Sequence, residues 1–119
     1  MDDSHPTPWL ALELGQYEDA IQLFSQDYVQ SQQLRLLAGR AQAYLAANLP
    51  RQALTDIEEV ITRTDKRLAS TSDYAFWGVC HWYLAQPDAA IAQWRAGLGA
   101  PYVDAAGGIL LPALLLYAG

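Results

Sequence analysis

Three alanines in this chain carry the same local pattern. Ala20, Ala53 and Ala90 stand 33 and then 37 residues apart. Each is followed at one residue by Ile21, Leu54 or Ile91, and at four residues by Phe24, Ile57 or Trp94. Four residues is about one turn of an α-helix, so each alanine shares a face with a large apolar side chain. The small residue lets a neighbouring helix come close, and the large one fills the space beside it. Nine residues upstream stand Ala11, Tyr44 and His81; twelve upstream stand Pro8, Ala41 and Gly78. A small–aliphatic–large triplet held in phase three times predicts three copies of one helical hairpin.

Composition is compatible with that reading. A chain of 119 residues, 52% hydrophobic, is long enough for a real core and too apolar for disorder. Its single Cys excludes an internal disulfide framework and suits a reducing compartment. The first residues, Met-Asp-Asp-Ser-His-Pro, lack the basic and apolar run of a signal peptide. The longest apolar run, Ile109 to Tyr117, is interrupted by Pro112 and falls far short of the roughly 20 residues that span a bilayer. A cytosolic protein with no membrane span is expected. Charge is distributed unevenly. Residues 1–34 carry Asp2, Asp3, Glu13, Glu18, Asp19 and Asp27 and no Lys or Arg, whereas the remaining seven acids and seven bases cancel. The net charge of −6 therefore sits in the first third. Such an end repels nucleic acid and steers a basic partner toward itself.

Element by element, residues 1–6 read as a flexible tail. Thr7 caps a first helix with Pro8 at its first position, running to Leu14 and stopped by Gly15. The second helix spans Gln16 to Gln30, with Ala20, Ile21, Phe24 and Tyr28 on one stripe. Ser31 is expected to cap a third helix to about Ala47, whose apolar positions include Leu34, Leu37, Ala41 and Tyr44. Asn48 tolerates a left-handed end, and Pro50 opens a fourth helix through about Leu68. Ser72 or Asp73 is expected to cap an aromatic-rich fifth helix through Ala85. Pro87 opens the sixth, with Ala90, Ile91, Trp94 and Leu98. Gly107-Gly108 reads as a second break, after which Ile109 to Tyr117 forms a short apolar helix with Pro112 in its first turn.

The period and the small–large triplets make residues 7–98 resemble the tetratricopeptide-repeat family, with about three residues inserted before the third unit. The departures are Pro8 in the first helix, His81 where the family usually has Tyr, and Asp27 where a small residue usually packs. The resemblance implies an all-α, right-handed α–α superhelix of three helical hairpins, about 7–30, 31–68 and 72–98. A short C-terminal helical segment, 101–118, would complete a single domain over 7–119. It also implies that the first helix of each pair lines a groove. Groove positions then fall at Trp9, Leu12 and Glu13; at Arg35, Gln42 and Leu45; and at Ser72, Val79, Trp82 and Tyr83. Aromatic and Arg side chains suit a binding face.

Chemistry is poorly supported by the sequence. Adjacent Cys80 and His81 point about 100° apart on a helix and cannot easily share a metal. Asp56, Glu58 and Glu59 read as a solvated acidic face rather than a paired-carboxylate site. Gly107-Gly108 lacks the spacing of a phosphate loop and follows no strand. No enzyme activity, cofactor or metal is expected. The C-terminal stretch Pro101 to Tyr117 resembles the end of small bacterial immunity proteins found beside polymorphic toxins. That resemblance implies an immunity-type protein, an antitoxin that neutralises a basic toxin by stoichiometric binding. The other reading is an adaptor or chaperone scaffold that grips a peptide. The partner-binding candidates are Trp9, Glu13, Glu18, Asp19, Arg35, Gln42, Trp82 and Tyr83, and the apolar C-terminus is a candidate surface for a homodimer.

Overall fold

The computed structural model describes residues 7–64, 70–100 and 103–118. Among them are seven helices and no β-strand: α1 (Pro8–Glu13), α2 (Tyr17–Ser31), α3 (Leu34–Ala46), α4 (Pro50–Arg63), α5 (Thr71–Tyr83), α6 (Pro87–Gly97) and α7 (Ala105–Ala118). The expected tail and the expected last turn of the fourth helix lie outside the described residues. Contacts divide the chain into two compact units, Met1–Val60 and Ile61–Gly119.

One turn is used three times. After α1, Gly15 adopts φ 77°; after α3, Asn48 adopts φ 65°; after α5, Ala85 adopts φ 59°. In each case the next N–H reaches back to the helix: Gln16 to Ala11 O, Leu49 to Tyr44 O, Gln86 to His81 O, at 2.9, 2.8 and 3.0 Å. The left-handed residue itself donates to Leu12, Leu45 or Trp82. This paired closure satisfies carbonyls that a helix end would leave bare. The residue that completes each turn then accepts from Ala20, Ala53 or Ala90, which starts the following helix in register. All three alanines are completely buried.

In the first unit, Ala11, Ala20, Phe24, Leu36 and Ala43 form a buried cluster against which Leu12, Ile21, Leu23 and Tyr28 pack. Trp9 meets Phe24 edge to face, with ring centroids 4.8 Å apart and planes at 85°. Gly39 of α3 lies beneath both rings, and a Cβ there would collide with each of them. An ion pair links α3 to α4: Arg40 Nε and Nη2 donate to Asp56 Oδ2 and Oδ1 at 2.7 and 2.8 Å. The remaining guanidinium nitrogen donates to Ser25 Oγ on α2 at 3.0 Å. The hydrogen bond to Asp56 holds Arg40 above its ordinary pKa. Asp56 is therefore buried rather than part of a solvated acidic face; its neighbours Glu58 and Glu59 remain exposed.

In the second unit, Ala75, Ala90, Trp94 and Leu111 form the buried cluster. Trp94 Nε1 donates to Ala75 O at 3.0 Å, which satisfies the indole inside the core. Gly78 makes room for it, because a Cβ at that position would collide with the indole.

Four local expectations are corrected. Ser31 ends α2 and bonds back to Asp27 O, while Gln32 turns left-handed and Gln33 precedes α3. Ser70, not Ser72 or Asp73, caps α5 by accepting from Asp73 N at 3.2 Å. Gly107-Gly108 does not break the chain but lies within α7; Gly107 is buried where a Cβ would strike the backbone of Thr71 and Ser72. Pro112 falls in the middle of that helix, not its first turn, and Gly108, whose carbonyl it cannot reach, is exposed.

Ala85 occupies a backbone region that costs an L-residue with a Cβ about 1–2 kcal/mol. Ala85→Gly removes that strain while loosening the unfolded chain, so the net expectation is a gain of about 0.5–1 kcal/mol. Urea unfolding of the two proteins measures the gain.

Candidate functional site

In the first unit, two of the expected site residues stand on α1 and two on α3, and these helices meet where Trp9 lies over Gly39. Trp9 is half-exposed, with its inner edge on Phe24 and Gly39. Glu13 follows one turn later on α1 and is exposed. Arg35 and Gln42 share a face of α3 with Gly39 through spacings of four and three residues, and both are exposed. Arg35 Nε donates to Gln33 Oε1 at 2.8 Å. Leu12 is occupied differently, since it packs on the core. Glu18 and Asp19 lie exposed in the first turn of α2, where acids complement the positive end of the helix.

A concavity lies in the second unit. Val79, Trp82, Tyr83, Trp94, Leu114 and Tyr117 line a cleft of about 350 Å³, at the small end of ligand-sized sites. Trp82 stacks on Trp94 with centroids 5.7 Å apart, and Tyr117 meets its ring at 5.8 Å and 60°. Tyr83 is 64% exposed and Tyr117 is 77% exposed. Trp82 is thus both a core residue and a wall of the cleft. Val79, Trp82 and Tyr83 were groove candidates through the family resemblance. Tyr117 and Leu114 were not, because their places depend on how α7 docks.

That docking is held by a polar clamp at the opposite end of α7. Asp104 Oδ1 accepts from Thr71 Oγ1, Ser72 Oγ and Gly107 N, each at 2.8 Å. Ser72 is therefore committed to this clamp rather than to a groove. Burial pushes the Asp104 carboxyl up, but the hydrogen bonds from Ser72, Thr71 and the backbone of Gly107 and Ser72 together hold it below its ordinary value. Asp73 moves the other way: burial raises it, against its hydrogen bonds with Ser70, and nearby Asp104 adds to the rise. The remaining chemical candidates stay apart. His81 Nδ1 lies 2.8 Å from Gln86 Oε1, and Cys80 is buried. Among the described residues no group of three or more His, Cys, Asp or Glu could hold a metal ion, and no helix is long and apolar enough to cross a membrane.

No protein-family model matches the chain, and no curated protein matches it. Among solved structures it is similar to the C-terminal part of a TPR repeat-containing protein from Cytophaga hutchinsonii, at 20% identity and a TM-score of 0.68. The match covers 78% of this chain and 36% of that one, so this chain spans about a third of its neighbour. The likeness shows the fold: all-α, with tetratricopeptide-like helical hairpins.

Asp104 caps α7 and fastens it to α5, so Asp104→Ala is expected to cost about 1 kcal/mol at pH 7. Because folding lowers this carboxyl's pKa, its contribution is complete above the unfolded value near about 4 and is lost as pH falls through the lower folded value. Urea unfolding of wild type and variant should therefore show a gap at pH 7 that narrows in acid.

Proposed function

We propose that the protein works by binding another polypeptide, without chemistry of its own. The observation that carries this reading is the aromatic cleft, where two largely exposed tyrosines stand beside Trp82 on a docked helical scaffold. Large, stiff aromatic side chains provide contact area at low entropic cost, which is what binding surfaces select for. The helical-hairpin fold supports the same reading, since stacked hairpins present side chains from rigid elements.

Within that class, the reading we favour is an immunity-type protein that neutralises a toxin by covering it one to one. The exposed acids Glu13, Glu18 and Asp19, in the third of the chain that holds the whole net charge, favour a basic partner. The second reading is an adaptor that grips a short peptide in the cleft. The exposed Leu110, Leu116 and Tyr117 on α7 also favour self-association through that helix, which sedimentation at several concentrations decides.

Co-expression with the product of the adjacent gene tests the toxin reading. A stable one-to-one complex and rescue of growth are expected, with affinity falling steeply as salt rises and Glu18→Lys with Asp19→Lys slowing association. No complex and no rescue would remove it. Micromolar binding that a short synthetic peptide reproduces would support the adaptor instead.

A further inference from the structure

We propose that the cleft in the second unit holds a cationic side chain, the guanidinium or ammonium group of a bound polypeptide; this rests on the polypeptide-binding reading above. The first argument is the chemistry of its walls. Trp82 and Tyr117 meet at 60° with centroids 5.8 Å apart, and both rings line the cleft together with exposed Tyr83. Aromatic faces carry negative charge density and attract a cation placed within about 6 Å. Trp94 backs Trp82 at 5.7 Å, and its indole N–H is already given to Ala75 O. The polar atoms it leaves to the cleft include the phenol oxygens of Tyr83 and Tyr117, which can accept from a donor-only cation.

The second argument is helix direction. Asp104 and Gly107, at the start of α7, meet Thr71 and Ser72 at the start of α5. Tyr117, at the end of α7, meets Trp82 at the end of α5. The two helices therefore run the same way, and both C-terminal ends converge on the cleft. The last carbonyls of α5 already accept from Leu84, Ala85 and Gln86, so the negative helix end offered to the cleft is that of α7, roughly half a charge. No basic residue lies in the last turn of α7. His81, in the last turn of α5, is engaged with Gln86, its ring tilted against Trp77 at 6.4 Å, and it is not among the residues that line the cleft. The positive end of α6 begins beside this site, and Asp88 in its first turn offsets it. Among the described residues no Lys, Arg or His lines the cleft.

The test uses two blocked amino acids of nearly identical shape, N-acetyl-arginine amide and N-acetyl-citrulline amide, titrated into the full chain. The Trp82 indole resonance is followed by NMR. The arginine probe should saturate in the millimolar range, at least fivefold more tightly than neutral citrulline. Tyr117→Leu keeps apolar bulk but removes the ring. It should weaken arginine binding at least fivefold while helicity by circular dichroism stays unchanged, and Tyr83→Leu gives a second check on the other wall. Equal binding of the two probes, no saturation by arginine, or no effect of both ring removals would overturn the proposal. Because these probes need no partner protein, a cleft that ignores charge can be told apart from a protein that binds no polypeptide: the former leaves the co-expression complex intact.

Discussion

The structure depends on helices approaching more closely than ordinary side chains permit, with a large aromatic ring laid over a glycine at the contact. In the first unit Gly39 lies under Phe24 and Trp9; in the second Gly78 lies under the Trp94 indole. Each arrangement places a bulky ring in a completely buried position beside a buried alanine, Ala20 or Ala90. Close-packed interiors tolerate neither a void nor an extra methyl at such a point. The rest of each unit follows from these seats. The Schellman-type turns set the phase of the alanines, and Trp94 then provides the back of the cleft.

Polar groups fix what apolar packing leaves undetermined. Arg40 ties together Ser25, Asp56 and its own helix, linking α2, α3 and α4 through directional bonds. Asp104 does the same for α5 and α7. α7 is apolar nearly all round, so its burial alone could be satisfied by several rotations about its axis. The clamp at its start and the close approach of Gly107 select one of them, and that choice places Leu114 and Tyr117 at the cleft.

Much of this was legible in the residues. The phase of Ala20, Ala53 and Ala90 located the three hairpins, and Gly15 and Asn48 marked the left-handed residue in two of the three turns inside those hairpins. Ala85 makes the third turn, and nothing about an alanine announces that, since its Cβ opposes the conformation. Gly107 read as a breaker because glycine serves both as a flexible joint and as a place where two backbones touch; only the partner helix distinguishes the two. Asp56 read as solvated because it sits next to Glu58 and Glu59, and its partner Arg40 lies 16 residues away. Trp82 and Tyr83 were groove candidates through the family resemblance, but Leu114 and Tyr117 come from α7, whose uniform apolarity gave no face to read.

The most direct measurement is the stability of Gly39→Ala and Gly78→Ala by urea unfolding. Alanine is the better helix former by about 0.8–1 kcal/mol, so at an open helical position the exchange stabilises. Overpacking a closed contact costs about 1–3 kcal/mol. If the rings of Phe24 and Trp94 truly rest on bare backbone, both variants lose stability despite the gain in propensity. If both become more stable, the helices do not approach as described, and the scaffold that shapes the cleft is wrong.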